Sequence, residues 1–87
     1  MTKYYVCADT YTTGDVNGRD ARIYTGRVKT IVEAEADCWA EVGEKGKAKI
    51  MAWLPAGCGA CNYGCMPVEA VEELGDAEIY ARMRTIE

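Results

Sequence analysis

The chain has 87 residues, with ten Lys and Arg against fourteen Asp and Glu, a formal net charge of −4 and no His. Ser, Phe and Gln are absent as well, which excludes Ser-His-Asp triads, Cys-His dyads, His-ligated metals and His-based pH switches within this chain. Leu, Ile and Val together make about 16 % of the residues, below the roughly 20 % typical of well-filled domains, so a single small domain over 1–87 with a thin core is expected.

Charge is unevenly spread. Residues 1–34 carry net +1 (Lys3, Arg19, Arg22, Arg27 and Lys29 against Asp9, Asp15, Asp20 and Glu33), and residues 35–87 carry net −5. An acidic chain is a poor match for phosphate backbones or anionic lipid, so neither direct nucleic-acid binding nor a membrane is expected. Attraction to a basic surface is favoured instead. The longest apolar run, Ile50–Leu54, is too short to cross a bilayer, and the amino terminus has no apolar signal region. A cytoplasmic protein with reduced thiols is the expectation.

Residues 3–12 read as a strand, because Tyr4, Tyr5, Val6, Tyr11 and the interspersed Thr are β-formers. Asn17-Gly18 is a two-residue hairpin signal, since a type I′ turn needs positive φ at both positions. A symmetric register there would oppose Asp15 and Asp20, which favours a wider loop beginning at Thr13-Gly14. Residues 21–32 return as the second strand, with a bulge expected near Gly26. Glu33–Val42 reads as a helix, because Val32, Ala36, Trp39 and Val42 form a helical stripe, with Asp37 as an alternative N-cap. Residues 47–54 alternate, Ala48, Ile50, Ala52 and Leu54 against Lys47, Lys49, Met51 and Trp53, and read as a half-buried strand.

Pro55 to Met66, rich in Gly and Cys, reads as a loop. Pro67 suits a first helical turn; Val68, Val71 and Leu74 make its apolar stripe, and Gly75 its C-terminal stop. Residues 77–86 alternate again as a last strand. The fold class expected is α+β: a mainly antiparallel sheet of about four strands with two short helices, in the order β-β-α-β-α-β. Helices packed on one face are the most economical arrangement.

Cys58, Cys61 and Cys65 are the one chemical constellation in the sequence. A C-x2-C turn lets two thiolates converge on a metal, and Cys65 would supply a third ligand. Zinc suits sulfur-rich, His-free ligation and would staple a thin core. The fourth ligand would have to be Cys7, Cys38, a carboxylate or water. A redox dithiol at Cys58 and Cys61 would need a helix N-terminus beside it, and the bland alternative is a tight loop with inert or disulfide-paired thiols. Cys7 and Cys38 read as small buried residues.

Two surface features remain. Glu69, Glu72, Glu73, Asp76 and Glu78 surround the second helix, either as its solvated side or as a negative surface for a basic partner. Met51 and Trp53 lie opposite the expected core face, covered by other elements or presented as an anchor for a partner. No pair of carboxylates is set apart as acid and base, so no enzyme is expected and no cofactor, with zinc as the exception to test.

The function expected is a non-enzymatic protein-binding module or inhibitor, presenting an acidic and aromatic surface to a basic macromolecular protein partner. By size and charge alone it is analogous to the inhibitors that phages direct at host nucleic-acid machinery such as CRISPR effectors. A small zinc- or thiol-dependent module built on Cys58, Cys61 and Cys65 is the alternative.

Overall fold

The computed structural model describes residues 1–68 and 75–86. Among the described residues, four strands and two helices follow in the order β1 (Thr2–Val16), β2 (Arg19–Ala34), α1 (Trp39–Trp53), β3 (Cys58–Pro67), α2 (Asp76–Arg82) and β4 (Arg84–Thr85). They form a four-stranded antiparallel sheet ordered β2-β1-β3-β4. The expected α+β class and element order are those of the structure.

The hairpin closes at the two-residue turn, with Asn17 at φ 54° and Gly18 at φ 78°. Val16 pairs with Arg19 and Asp15 with Asp20. The wider loop is therefore not needed, because both aspartates are exposed to solvent and their repulsion is screened. The bulge lies where the glycine signalled it. Thr10 pairs with Gly26 and Tyr11 with Tyr24, leaving Thr25 as the extra residue, and Gly26 takes φ 149°. The Thr10 and Thr25 hydroxyls share a hydrogen bond at 2.9 Å across the irregularity.

Several elements differ from the sequence reading in their bounds or their type. β2 runs on to Ala34, because Val32 and Ala34 alternate into the core, and the first helix begins only at Trp39. Asp37 is no cap: it takes φ 61° in the connecting turn, and Cys38 caps α1 without a side-chain bond. Residues 47–54, expected as a strand, are the C-terminal half of α1 and its cap. Their alternation is carried largely by Ala, a strong helix former, while Val42, Gly46, Ile50 and Leu54 recur at four-residue spacing on the helix.

The expected loop at 55–66 is mostly strand. Its glycines serve close approach rather than turning: a Cβ on Gly59 would sit 2.5 Å from the Tyr11 ring, and one on Gly64 3.1 Å from Met83. Asn62, at φ 54°, and Tyr63 bulge opposite Ala8. Pro67 ends β3 instead of starting a helix, and the Val68 N–H donates to the Lys3 carbonyl at 2.9 Å. Gly75 is the N-cap of α2, the helix expected over 67–74 lies largely outside the described residues, and residues 77–86 are mainly α2 plus the two-residue β4.

The two helices cover opposite faces of the sheet, not one. α1 lies on the face built from Tyr4, Val6, Ala8, Val32, Ala34 and Cys65, and contributes Val42 and Ile50 to that buried cluster. Gly46 brings it close, since a Cβ there would fall 2.5 Å from a Val6 methyl. Tyr4 meets Trp39 edge-on at 5.4 Å, and its hydroxyl accepts the Asp37 N–H at 2.9 Å. α2 sits on the other face, where Asp76, Tyr80 and Met83 at its two ends meet Lys29, Arg27 and Cys7.

Candidate functional site

Along β3 the three clustered cysteines pair with different parts of β1: Cys58 with Thr12, Cys61 with Asp9 and Cys65 with Val6. A strand advances about 3.3 Å per residue, so Cys58 and Cys65 stand roughly 20 Å apart along it. Cys61, opposite Asp9, lies on the α2 side, whereas Cys65 is buried beneath α1. The structure thus does not bring the three together. Among the described residues no group of three Cys, Asp or Glu is placed to hold a metal, and the thiols are unpaired. Burial pushes the Cys65 and Cys7 thiols up, keeping them protonated. Cys7 is buried as expected, its thiol 3.1 Å from Met83 Sδ, while Cys38 is half-buried beside the α1 start.

Of the acidic set around the second helix, Glu69, Glu72 and Glu73 lie outside the described residues. Asp76 and Glu78 are already engaged, Asp76 with Lys29 at 2.6 Å and Glu78 with Arg82 at 3.6 Å. A different acidic group was missed. Glu33, Glu35, Asp37 and Glu44 are exposed around the β2–α1 connection, and among the described residues their carboxylates form no ion pair. Glu41, between them, is held below its ordinary range by Lys45 at 2.8 Å and by the Glu35 N–H.

Met51 and Trp53 both stay exposed, at 47 % and 52 %. As helical rather than strand residues they no longer share a face, since two positions on a helix differ by about 200°. Trp53 instead continues the row Lys45, Lys49, Trp53 at four-residue intervals. The two lysines donate to outward carbonyls of β2, Lys45 to Glu33 and Lys49 to Ile31, each at 2.8 Å. Trp53 therefore stands at the end of the row that guards the sheet edge.

The α2 face holds a network that only the register assembles. Asp9 accepts from Arg27 Nε at 2.9 Å and from Asn62 Nδ2 at 3.1 Å, which together hold its carboxyl below the ordinary value. Arg27 lies 4.6 Å from the Tyr80 ring centre and Lys29 5.0 Å from that of Tyr5. A cleft of about 250 Å³ opens here, lined by Cys7, Asp9, Arg27, Asn62, Tyr80 and Met83 among others. Its cation and carboxylate neutralise each other, and burial raises its thiol, so the contacts tie β1, β2, β3 and α2 together. Alternation of Tyr5, Cys7 and Asp9 opposite Arg27 and Lys29 was the one signal in the sequence.

No helix among the described residues is long and apolar enough to cross a membrane. Comparison with protein-family models, with curated proteins and with solved structures finds no match to this chain.

Proposed function

We propose that the protein is a non-enzymatic binding module that acts as an inhibitor by covering a basic surface on a macromolecular protein partner. The observation that carries this reading is Trp53, half exposed at the end of a helix whose beginning is flanked by Glu33, Glu35, Asp37 and Glu44, which form no ion pair among the described residues. A large aromatic left in water costs hydration free energy that a partner pocket would recover, and Trp is prominent among residues that dominate interfaces. Glu33, Glu35, Asp37 and Glu44 supply the sign of the surface, in keeping with the net charge of −4. Charges of that kind steer encounter and orient docking more than they add affinity. Met51, about 200° round the same helix, faces away from Trp53 and lies outside this contact.

Occlusion of a basic groove is the mechanism that follows, and a phage-type inhibitor of host nucleic-acid machinery is the setting that size and charge suggest. The test is affinity capture from the native host with mass spectrometry, repeated with Trp53→Ala and with Glu35, Asp37 and Glu44 changed together to Lys. Both variants should fold as the parent does and lose the captured protein. Undiminished capture by both refutes the proposal.

A further inference from the structure

β2 is an edge strand, and its edge is treated differently along its length. In an antiparallel ladder, residues alternately exchange hydrogen bonds with the partner strand and point their N–H and C=O away from it. Val16 and Arg19 flank the two-residue turn and form a bonded pair, so Asp20, Arg22 and Tyr24 direct their backbone groups outward. Nearer the core the outward carbonyls of Ile31 and Glu33 are capped by Lys49 and Lys45. Around Arg22, among the described residues, nothing does this: β1 is the one strand beside β2, and no hydrogen bond reaches the outward groups of Asp20, Arg22 or Tyr24. β3 pairs no further out than Thr12, so beyond it the hairpin is a bare two-stranded arm. Such an arm is marginal in water by itself.

We infer that this free stretch of β2 pairs with the same stretch of a second copy, antiparallel, about a twofold axis at Ala21. Charge selects both the occupant and the register. With the axis at Ala21, Asp20 of each copy faces Arg22 of the other, twice by symmetry. Sliding by one pair in one direction opposes Asp20 to Asp20; sliding the other way opposes Arg22 to Arg22. Each of those costs what the first gains. Within one copy Asp15 and Asp20 sit across from each other, a like-charge pair with no compensating cation opposite. Arg22 of a second copy would supply that cation. The Arg22 guanidinium carbon lies 4.6 Å from the Tyr11 ring centre, and a cation held there by the ring still has N–H groups to donate.

Ile23 and Val16, at 43 % and 46 % exposure, lie on the opposite side of the arm from Asp20 and Arg22 and would be partly covered by the added strands. The contact is separate from the Trp53 surface, so each stands or falls alone.

Sedimentation equilibrium of the full chain over a range of concentrations tests it. The wild type should show a monomer–dimer equilibrium that weakens with added salt. Asp20→Arg should weaken the dimer about tenfold or more, and the double variant Asp20→Arg with Arg22→Asp should restore it to within about threefold. Arg22→Pro removes an outward donor while sparing the ladder to β1, so it should abolish the dimer with circular dichroism unchanged. A wild type that stays monomeric at about 1 mM overturns the inference, as does a dimer indifferent to both Asp20→Arg and Arg22→Pro. A swap that fails to rescue overturns the register. The rescue arm does not depend on any single variant keeping its fold.

Discussion

Gly46→Ala should destabilise the protein although it replaces the weaker helix former by the strongest. Relative to Gly, Ala gains about 1 kcal/mol of helix propensity. Against this, the new Cβ would lie 2.5, 2.7 and 2.8 Å from Cγ1, Cγ2 and Cβ of Val6. Val6 is wholly buried in β1, which has a strand on each side, so no rotamer moves its Cβ away. Overpacking of this kind costs about 1–3 kcal/mol, and a contact with the whole side chain belongs in the upper part of that range. The net loss is about 1–2 kcal/mol, or roughly 5–10 °C in melting temperature for a domain of this size.

Gly43, three residues earlier on α1, is the internal control. Its Cβ would meet Ile86 Cγ2 at 2.8 Å, but that side chain is partly exposed on the last described residue and can swing aside. Gly43→Ala should therefore be neutral or stabilising by up to about 1 kcal/mol. Urea denaturation followed by circular dichroism reads both. Val6→Ala in the Gly46→Ala background should relieve part of the clash, so the double variant should be more stable than the sum of the singles. A Gly46→Ala protein as stable as the parent, or a Gly43→Ala protein that loses as much, refutes the close packing of α1 on β1.

Iodoacetamide at mildly alkaline pH should label the half-buried Cys38, Cys58 and Cys61 before Cys7 and Cys65, as read by peptide mass spectrometry; fast labelling of Cys65 would contradict its place beneath α1. Arg27 and Asn62 hold the Asp9 carboxyl below its ordinary 3.8 in the folded protein, so their stabilisation is complete above that value and disappears as pH falls through the folded one. Asp9→Asn should accordingly cost under about 1 kcal/mol at neutral pH and nothing in strong acid, and a gap between the two proteins that is the same at both pH values rules this out. Gly18→Ala, at a φ of 78°, should cost about 1 kcal/mol in chemical denaturation without altering the core. Trp53→Ala should shift stability by less than about 1 kcal/mol, in contrast to its effect on capture.

What was legible in the residues were the features with local causes. Asn17-Gly18 adopts the positive φ that its turn needs, and Gly26 marks the bulge, because in both places a short stretch of backbone has few alternatives. The thin core is also written in the composition: the largest fully buried side chains are Tyr4, Ile50, Val6, Val42 and Cys65, with no Leu or Phe among them. The candidate site was less legible. The carboxylates chosen around the second helix include two that Lys29 and Arg82 engage, whereas Glu33, Glu35 and Asp37 looked like part of a helix face and stand at the end of β2 and in the turn after it. Met51 and Trp53, left open between covered and presented, are both exposed, but they do not share a face, since a period of two was assumed where the period is 3.6.

By itself the sequence determined the α+β class, the hairpin and its bulge. Each depends on propensity or on backbone freedom within a few neighbouring residues. Only the tertiary structure decided that 47–54 is helix and 58–67 strand. Ala and Lys at alternating positions satisfy either period, and Gly59 and Gly64 resemble loop residues until Tyr11 and Met83 are seen to occupy the space where their side chains would be. That one assignment also settled the cysteines: an extended interior strand spaces thiols that a loop would have gathered, because its length is dictated by the strand it must pair with.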